Sequence, residues 1–329
     1  MNVINKIIIE TSKEYSQTES NAYPFYRIPC IVSDKNGVMY VCYECRQGSD
    51  WSVIDICMRR SCDGGKSWTD RFVVADGMGR NACNNPTLIC DDNVLYLLYC
   101  ENYKRMFYKT STDGGDTWTS PTEITDIFDS FHWSCIAVGP GHGIVFKGKL
   151  IAPVWLAFNQ KEMFSHHPSR IAVISSEDNG QAWTCSSLLE DTLTDPSESC
   201  IGMLSEDTVL LNIRNENSEH CRAFSFSCDG VQWSSPTLQL NLTDPVCCAG
   251  MCNAEDKLMF VNCFSAENRE HLCLHVSKDH GQSWSHYPID ESGGYSDICY
   301  NKKTGTAFVL YESNDCRYMK VAELDISSL

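Results

Sequence analysis

Arg27 sits where an arginine is costly: in YPFYRIPCIV it lies between Tyr26 and Ile28-Pro29 at the start of an apolar strand, and a charge placed there must find an anion. YECRQGSDW brings Glu44, Arg46 and Asp50 within seven residues. LLNIRNENS places Arg214 after an apolar alternation, and SAENREHLCLHVS places Arg269 just ahead of another such run. Arg27, Arg214 and Arg269 each fall at a strand end. Brought together on one axis they suit a single carboxylate, because guanidinium is permanently charged and donates in a fixed planar fork.

Other reactive residue types carry less. His142 in GPGHG and the pair His166, His167 have no carboxylate or thiol at ligand spacing, so they read as solvent-facing loop residues. Cys42 and Cys45 form a CxxC, but in a strand residues three apart face opposite sides, and no second pair follows at zinc-site spacing. No metal is expected there. The chain has no Gly-rich phosphate loop, no Ser-His-Asp order and no nucleotide motif.

Five copies of one motif must position the arginines: SCDGGKSW, STDGGDTW, SEDNGQAW, SCDGVQW and SKDHGQSW, ending at Trp68, Trp118, Trp183, Trp233 and Trp284. The tryptophans lie 50, 65, 50 and 51 residues apart, the period of a repeated supersecondary unit. In each box the Asp (Asp63, Asp113, Asp178, Asp229, Asp279) accepts backbone N–H groups two residues on, and the Trp folds back over the turn. Alternating, β-branched and aromatic runs such as VIDICMRR and LCLHVS lead into the boxes, so each box is a hairpin turn. The period fits a four-stranded propeller blade, and 329 residues give about six. The expected fold is all-β, a six-bladed β-propeller with Asp-box repeats. The blade without a box is expected where the two chain ends close the ring, and the fourth box, one residue short, is expected to have a deformed turn. The boxes themselves are structural, locking blades on the outer rim.

The repeat runs from end to end without a linker, so residues 1–329 read as one domain. A net charge of −17 and a pI near 4.9 repel nucleic acid and anionic membranes; an anionic ligand needs local cations. No stretch has the ~18 apolar residues of a membrane span, and the N-terminus MNVINKIIIE carries no export signal. The twenty cysteines lie mostly within strands, where Cys behaves as a small buried hydrophobe, so reduced thiols and a cytoplasmic location are expected.

Taken together, YRIP, the acidic loop, the boxes, two further arginines, GPGHG at Gly139 to Gly143 and GGYSD at Gly293 to Asp297 resemble the exo-α-sialidase (neuraminidase) family over essentially the whole chain. The resemblance implies a glycoside hydrolase acting on sialylated glycans or oligosaccharides, with no metal or other cofactor. It implies that Arg27, Arg214 and Arg269 bind the sialic acid carboxylate, with Glu44 orienting Arg27. It also implies Asp50 as general acid/base, Tyr295 as nucleophile and Glu198 as its partner base. Arg46 would join the rim, and Asn85 with Trp133 or Trp51 would contact the glycerol or N-acyl groups. Glu206 is an alternative to Glu198, while Asp55 is better read as a strand residue than as an alternative to Asp50.

These residue types suit the chemistry. A sialoside carries its carboxylate on the anomeric carbon, so an attacking Asp or Glu would meet like-charge repulsion, which a phenol avoids. With a pKa near 10, the phenol needs a neighbouring carboxylate to take its proton. Glycosidases commonly pair two carboxylates, and a tyrosine nucleophile is the departure that the resemblance brings. Asp50 would protonate the departing oxygen and then activate water, giving net retention. Two alternatives share this core: a trans-sialidase or intramolecular trans-sialidase, and a propeller that binds sialic acid without turning it over.

Overall fold

The computed structural model describes residues 1–16, 22–162 and 165–329. Six sheets form the blades of a β-propeller, antiparallel except where Gly141–His142 adds in parallel to blade 2, and the described residues include a short 3-10 turn at Thr125–Phe128. Blade 1 runs through Phe25–Ser33, Met39–Arg46, Ile54–Ser61 and Phe72–Ala75, in spatial as well as chain order. Blades 2 to 5 follow the same pattern, starting at Cys83–Asp91, Cys135–Val138, Ser199–Met203 and Gly250–Ala254. Blade 6 has Ser296–Asn301, Thr306–Ser313 and Tyr318–Asp325, and its fourth strand is Asn2–Thr11, paired antiparallel to Tyr318–Asp325. The first strands of neighbouring blades pack on one another around the axis.

This closure explains the missing box. Each box joins the third strand of a blade to the fourth; in blade 6 that junction is where the two chain ends lie. Within a box the Ser Oγ donates to the Asp and accepts a Gly N–H, as in Ser61 to Asp63 (2.9 Å) and Gly65 to Ser61 (2.9 Å). The Asp accepts the N–H four residues on, Ser67 to Asp63 at 3.0 Å, a wider reach than the two residues expected from an isolated Asx turn. In the shortened fourth box Asp229 takes the N–H groups of Val231 and Gln232 instead, so that turn is indeed tightened.

The boxes also tie each blade to the one before it. A Cβ at Gly65 would lie 2.6 Å from Phe308 in blade 6, and one at Gly180 would lie 2.9 Å from Tyr96 in blade 2. Gly65 has φ +84, where a side chain is strained whatever the space. Gly65→Ala is therefore expected to destabilise the fold by about 1–3 kcal/mol, from backbone strain together with the Phe308 clash. Chemical denaturation would read this loss, and a ΔΔG near zero would contradict the packing argument.

Candidate active site

In each antiparallel blade the start of the first strand lies beside the end of the second. In blade 4, Ser199 pairs with Ile213, so Glu198 and Arg214 form the next pair outward, and the Arg214 N–H donates to the Glu198 carbonyl at 3.1 Å. In blade 6, Ser296 pairs with Tyr311, so Tyr295 meets Glu312, whose N–H donates to the Tyr295 carbonyl at 2.9 Å. In blade 1, Phe25 pairs with Arg46 and Arg27 with Glu44. One register, repeated around the ring, gathers side chains from blades far apart in sequence at one end of the axis.

There they line a cavity of about 230 Å³ that includes Arg27, Arg46, Asp50, Asn85, Glu198, Arg214, Arg269 and Tyr295. The guanidinium carbons of Arg27, Arg269 and Arg214 stand 4.8, 5.0 and 5.9 Å from the centre of the Tyr295 ring. Arg214 donates one N–H to the Tyr295 hydroxyl at 2.7 Å and also pairs with Glu198. Tyr295 itself is backed by Ile28, Cys247, Cys248 and Cys263. Burial pushes its phenol well above the ordinary value, outweighing Arg214, while Glu198 adds to the rise. The resting phenol is therefore protonated, and a base is required before it can attack. Glu198 lies within reach of the same guanidinium, whereas Glu206 is exposed on a remote loop.

The orienting acid differs from the one expected. Glu312 grips Arg27 in a fork, with Nε to Oε1 at 2.9 Å and Nη2 to Oε2 at 3.2 Å. Its oxygens also accept the N–H groups of Ile28 (3.0 Å) and Tyr295 (3.3 Å). Glu44 instead pairs with Arg46 and accepts the Asn85 N–H at 2.7 Å. The reason lies in YRIP: the ladder breaks between Arg27 and Cys30, and Ile28 has φ 60, a strained value for a β-branched residue. That bulge turns Arg27 towards blade 6 and leaves Glu44 facing blade 2. Burial, only partly offset by Arg46, raises the Glu44 carboxyl; burial is also the largest influence on Glu312, but Arg27, the Ile28 N–H and Arg269 together outweigh it and hold that carboxyl low.

Arg46 is buried at the base of the site and not on its rim, and it bridges Glu44 to Asp50. Asp50, in the loop after the second strand, is 44% exposed on its side chain; partial burial works to raise its carboxyl, but Arg46, with Arg27 and His166, outweighs this and lowers it. Asn85 borders the cavity with φ 56. Asp55 is a strand residue, accepting the Tyr23 hydroxyl at 2.7 Å. Trp133 packs against the core, whereas Trp51 belongs to an aromatic wall with Tyr103, Trp155 and His166, at ring separations of 4.8 to 6.0 Å.

The histidine reading also changes. His166 lies in that wall, and burial lowers its imidazole. His167 is exposed but has Asp195 at 3.6 Å and Glu216 at 3.7 Å, and His142 is bound to Asp297 at 2.8 Å. Their carboxylates are remote in sequence, so local spacing could not reveal them. Glu312 did leave a signal: like Arg27, it is a charge in an apolar run, TAFVLYES.

Comparison with known proteins agrees with this architecture. Residues 23–309 match the BNR repeat-like domain. A sialidase from Bacteroides fragilis is 25% identical over 337 residues, covering 88% of this chain and 60% of its own. The structure of the Hadza microbial sialidase Hz136 superposes with a TM-score of 0.80 at 22% identity, covering 93% of this chain and 67% of that one. Trypanosoma rangeli sialidase in complex with 2,3-difluorosialic acid, as a covalent intermediate, gives 0.77 at 19%, covering 98% and 58%. The chain belongs to the BNR repeat-like family and shares the six-bladed β-propeller fold of these sialidase structures. It spans about 60% of the length of the Bacteroides relative.

Glu312 gives a direct test. Glu312→Gln is expected to leave Arg27 without its counter-charge, lowering stability by about 3 kcal/mol at neutral pH. Because the folded Glu312 value is depressed, its contribution is present above the unfolded carboxylate value of about 4.3 and is lost as pH falls through the folded value. The stability gap between wild type and variant should therefore narrow on acidification; a gap that is constant down to pH 3 would exclude this role.

Proposed function

We propose that this protein is an exo-α-sialidase that releases terminal sialic acids from glycans or oligosaccharides with retention of configuration. The observation that carries this reading is Tyr295: a buried phenol bonded to Arg214, beside Glu198 and faced by three guanidinium groups. The arginines take the substrate carboxylate, which sets the anomeric carbon against the phenol. Glu198 removes the phenolic proton as the oxygen attacks, and Asp50 donates a proton to the leaving oxygen. In the free site Arg46 keeps Asp50 ionised. A bound sialoside brings a second negative charge and expels water, and both raise the Asp50 carboxyl towards the protonated form that the first step needs. Asp50 then activates water for the second displacement, giving net retention.

Turnover of a fluorogenic α-sialoside by wild type, Tyr295→Phe and Asp50→Ala, with NMR of the first-formed product, tests the reading. Release of the α-anomer, with activity reduced about 10³-fold or more in Tyr295→Phe, is the expected result. A 2,7-anhydro product would assign the protein to the intramolecular trans-sialidases. Binding of sialic acid without turnover would make it a recognition propeller.

A further inference from the structure

Two stretches singled out in the sequence carry residues that the proposed reaction leaves unused, the histidine of GPGHG and the aspartate of GGYSD. They meet on the axis. His142 Nδ1 lies 2.8 and 3.0 Å from the two carboxylate oxygens of Asp297, which is 1% exposed on its side chain. Asp297 Oδ2 also accepts the Ile31 N–H at 2.9 Å. His142 adds a backbone hydrogen bond to Met251 of blade 5.

The chain is shaped for this meeting. Gly141–His142 pairs in parallel with Thr87 and Leu88 of blade 2, with Gly141 at φ 102. Blade 5 passes so near that a Cβ on Gly250 would lie 2.5 Å from the Asp297 Cα. Asp297 stands two residues after Tyr295, and Ile31 belongs to the strand that carries Arg27. At its bulge that strand leaves the Ile28 N–H outside the ladder, where Glu312 takes it; past the bulge, where Ile31 pairs with Val41, Asp297 accepts the Ile31 N–H. Neither His142 nor Asp297 borders the cavity holding Tyr295; His142 borders a separate opening of about 430 Å³ that the other end of the same inner strand lines.

We infer that His142 and Asp297 are positioning residues for Tyr295, clamping the strand that follows it to the bulged strand of Arg27 so that phenol and guanidinium keep their mutual geometry. This rests on the proposed role of Tyr295, but its geometric content does not. An apolar replacement of His142 leaves Asp297 buried with one backbone donor, and a carboxylate so placed pulls its strand towards any other donor or water.

The test compares His142→Leu with His142→Gln, which retains a donor of similar reach. In protein labelled with 13C at the tyrosine ζ carbon, the Tyr295 resonance is assigned by its loss in Tyr295→Phe. It is expected to shift in His142→Leu and to return in His142→Gln. Both variants are measured below the melting temperature of the less stable one. In the same samples kcat on a fluorogenic sialoside and the rate of covalent labelling by a 2,3-difluorosialosyl fluoride should fall about tenfold in the Leu variant, with KM within threefold and recovery in the Gln variant. A folded His142→Leu with an unmoved resonance, or with wild-type kcat and labelling rate, overturns the inference. If His142→Leu does not fold, Asp297→Asn takes its place and must move the same resonance. A wild type that leaves sialosides intact overturns the functional reading alone, because the resonance reports position without turnover.

Discussion

The fork between Glu312 and Arg27 is the contact on which the rest of the site depends. Four guanidinium groups border one small cavity; Arg269 stays exposed, but Arg27, Arg46 and Arg214 have given up most of their hydration, which only anions and aligned dipoles can replace. Glu312 supplies two oxygens to Arg27 and, with the same oxygens, fixes the backbone on either side of the seam, at Ile28 in blade 1 and Tyr295 in blade 6. One buried carboxylate thus sets the Arg27 guanidinium, the strained turn of YRIP and the phenol.

The chain ends meet within blade 6, on one side of that seam, and a second buried carboxylate holds the seam further from the axis. Glu10, on the closing strand of blade 6, is 2% exposed and accepts Arg59 (2.7 Å) and Arg71 (2.6 Å) of blade 1, along with the Tyr43 hydroxyl. A closure resting on apolar packing alone would be free to slip; the ion pairs of two carboxylates at different radii fix both the approach and the rotation of blade 6 against blade 1. In a chain of net charge −17, Arg27, Arg46, Arg214 and Arg269 supply the local cations that border the cavity.

What the sequence disclosed follows the range of the interactions involved. The boxes are local, made by residues within a few positions of one another, so blade count, turn positions and the odd fourth box were all readable. The clustering of Arg27, Arg214 and Arg269 was readable from charges in apolar runs and from the resemblance. Glu44 was misassigned to Arg27 because it is the near neighbour in sequence and even the register partner; a bulge, invisible to spacing, sends Arg27 to a residue 285 positions away. His142 and His167 failed for the same reason, since their carboxylates arrive from other parts of the ring. Propeller sites are built between blades, and pairings between blades leave no periodic trace.

The same geometry accounts for a tension at the centre of the site. A phenol facing three guanidinium groups should be easily ionised, yet burial dominates and keeps the Tyr295 proton in place. Arg214 meanwhile serves two oxygens at once, pairing with Glu198 and donating to the phenol. Under the proposed chemistry an incoming carboxylate competes for Arg214, which weakens its hold on Glu198 just when that carboxylate is needed as a base. Substrate binding and activation of the nucleophile then draw on one guanidinium, and the phenol loses its proton only when there is an anomeric carbon to attack.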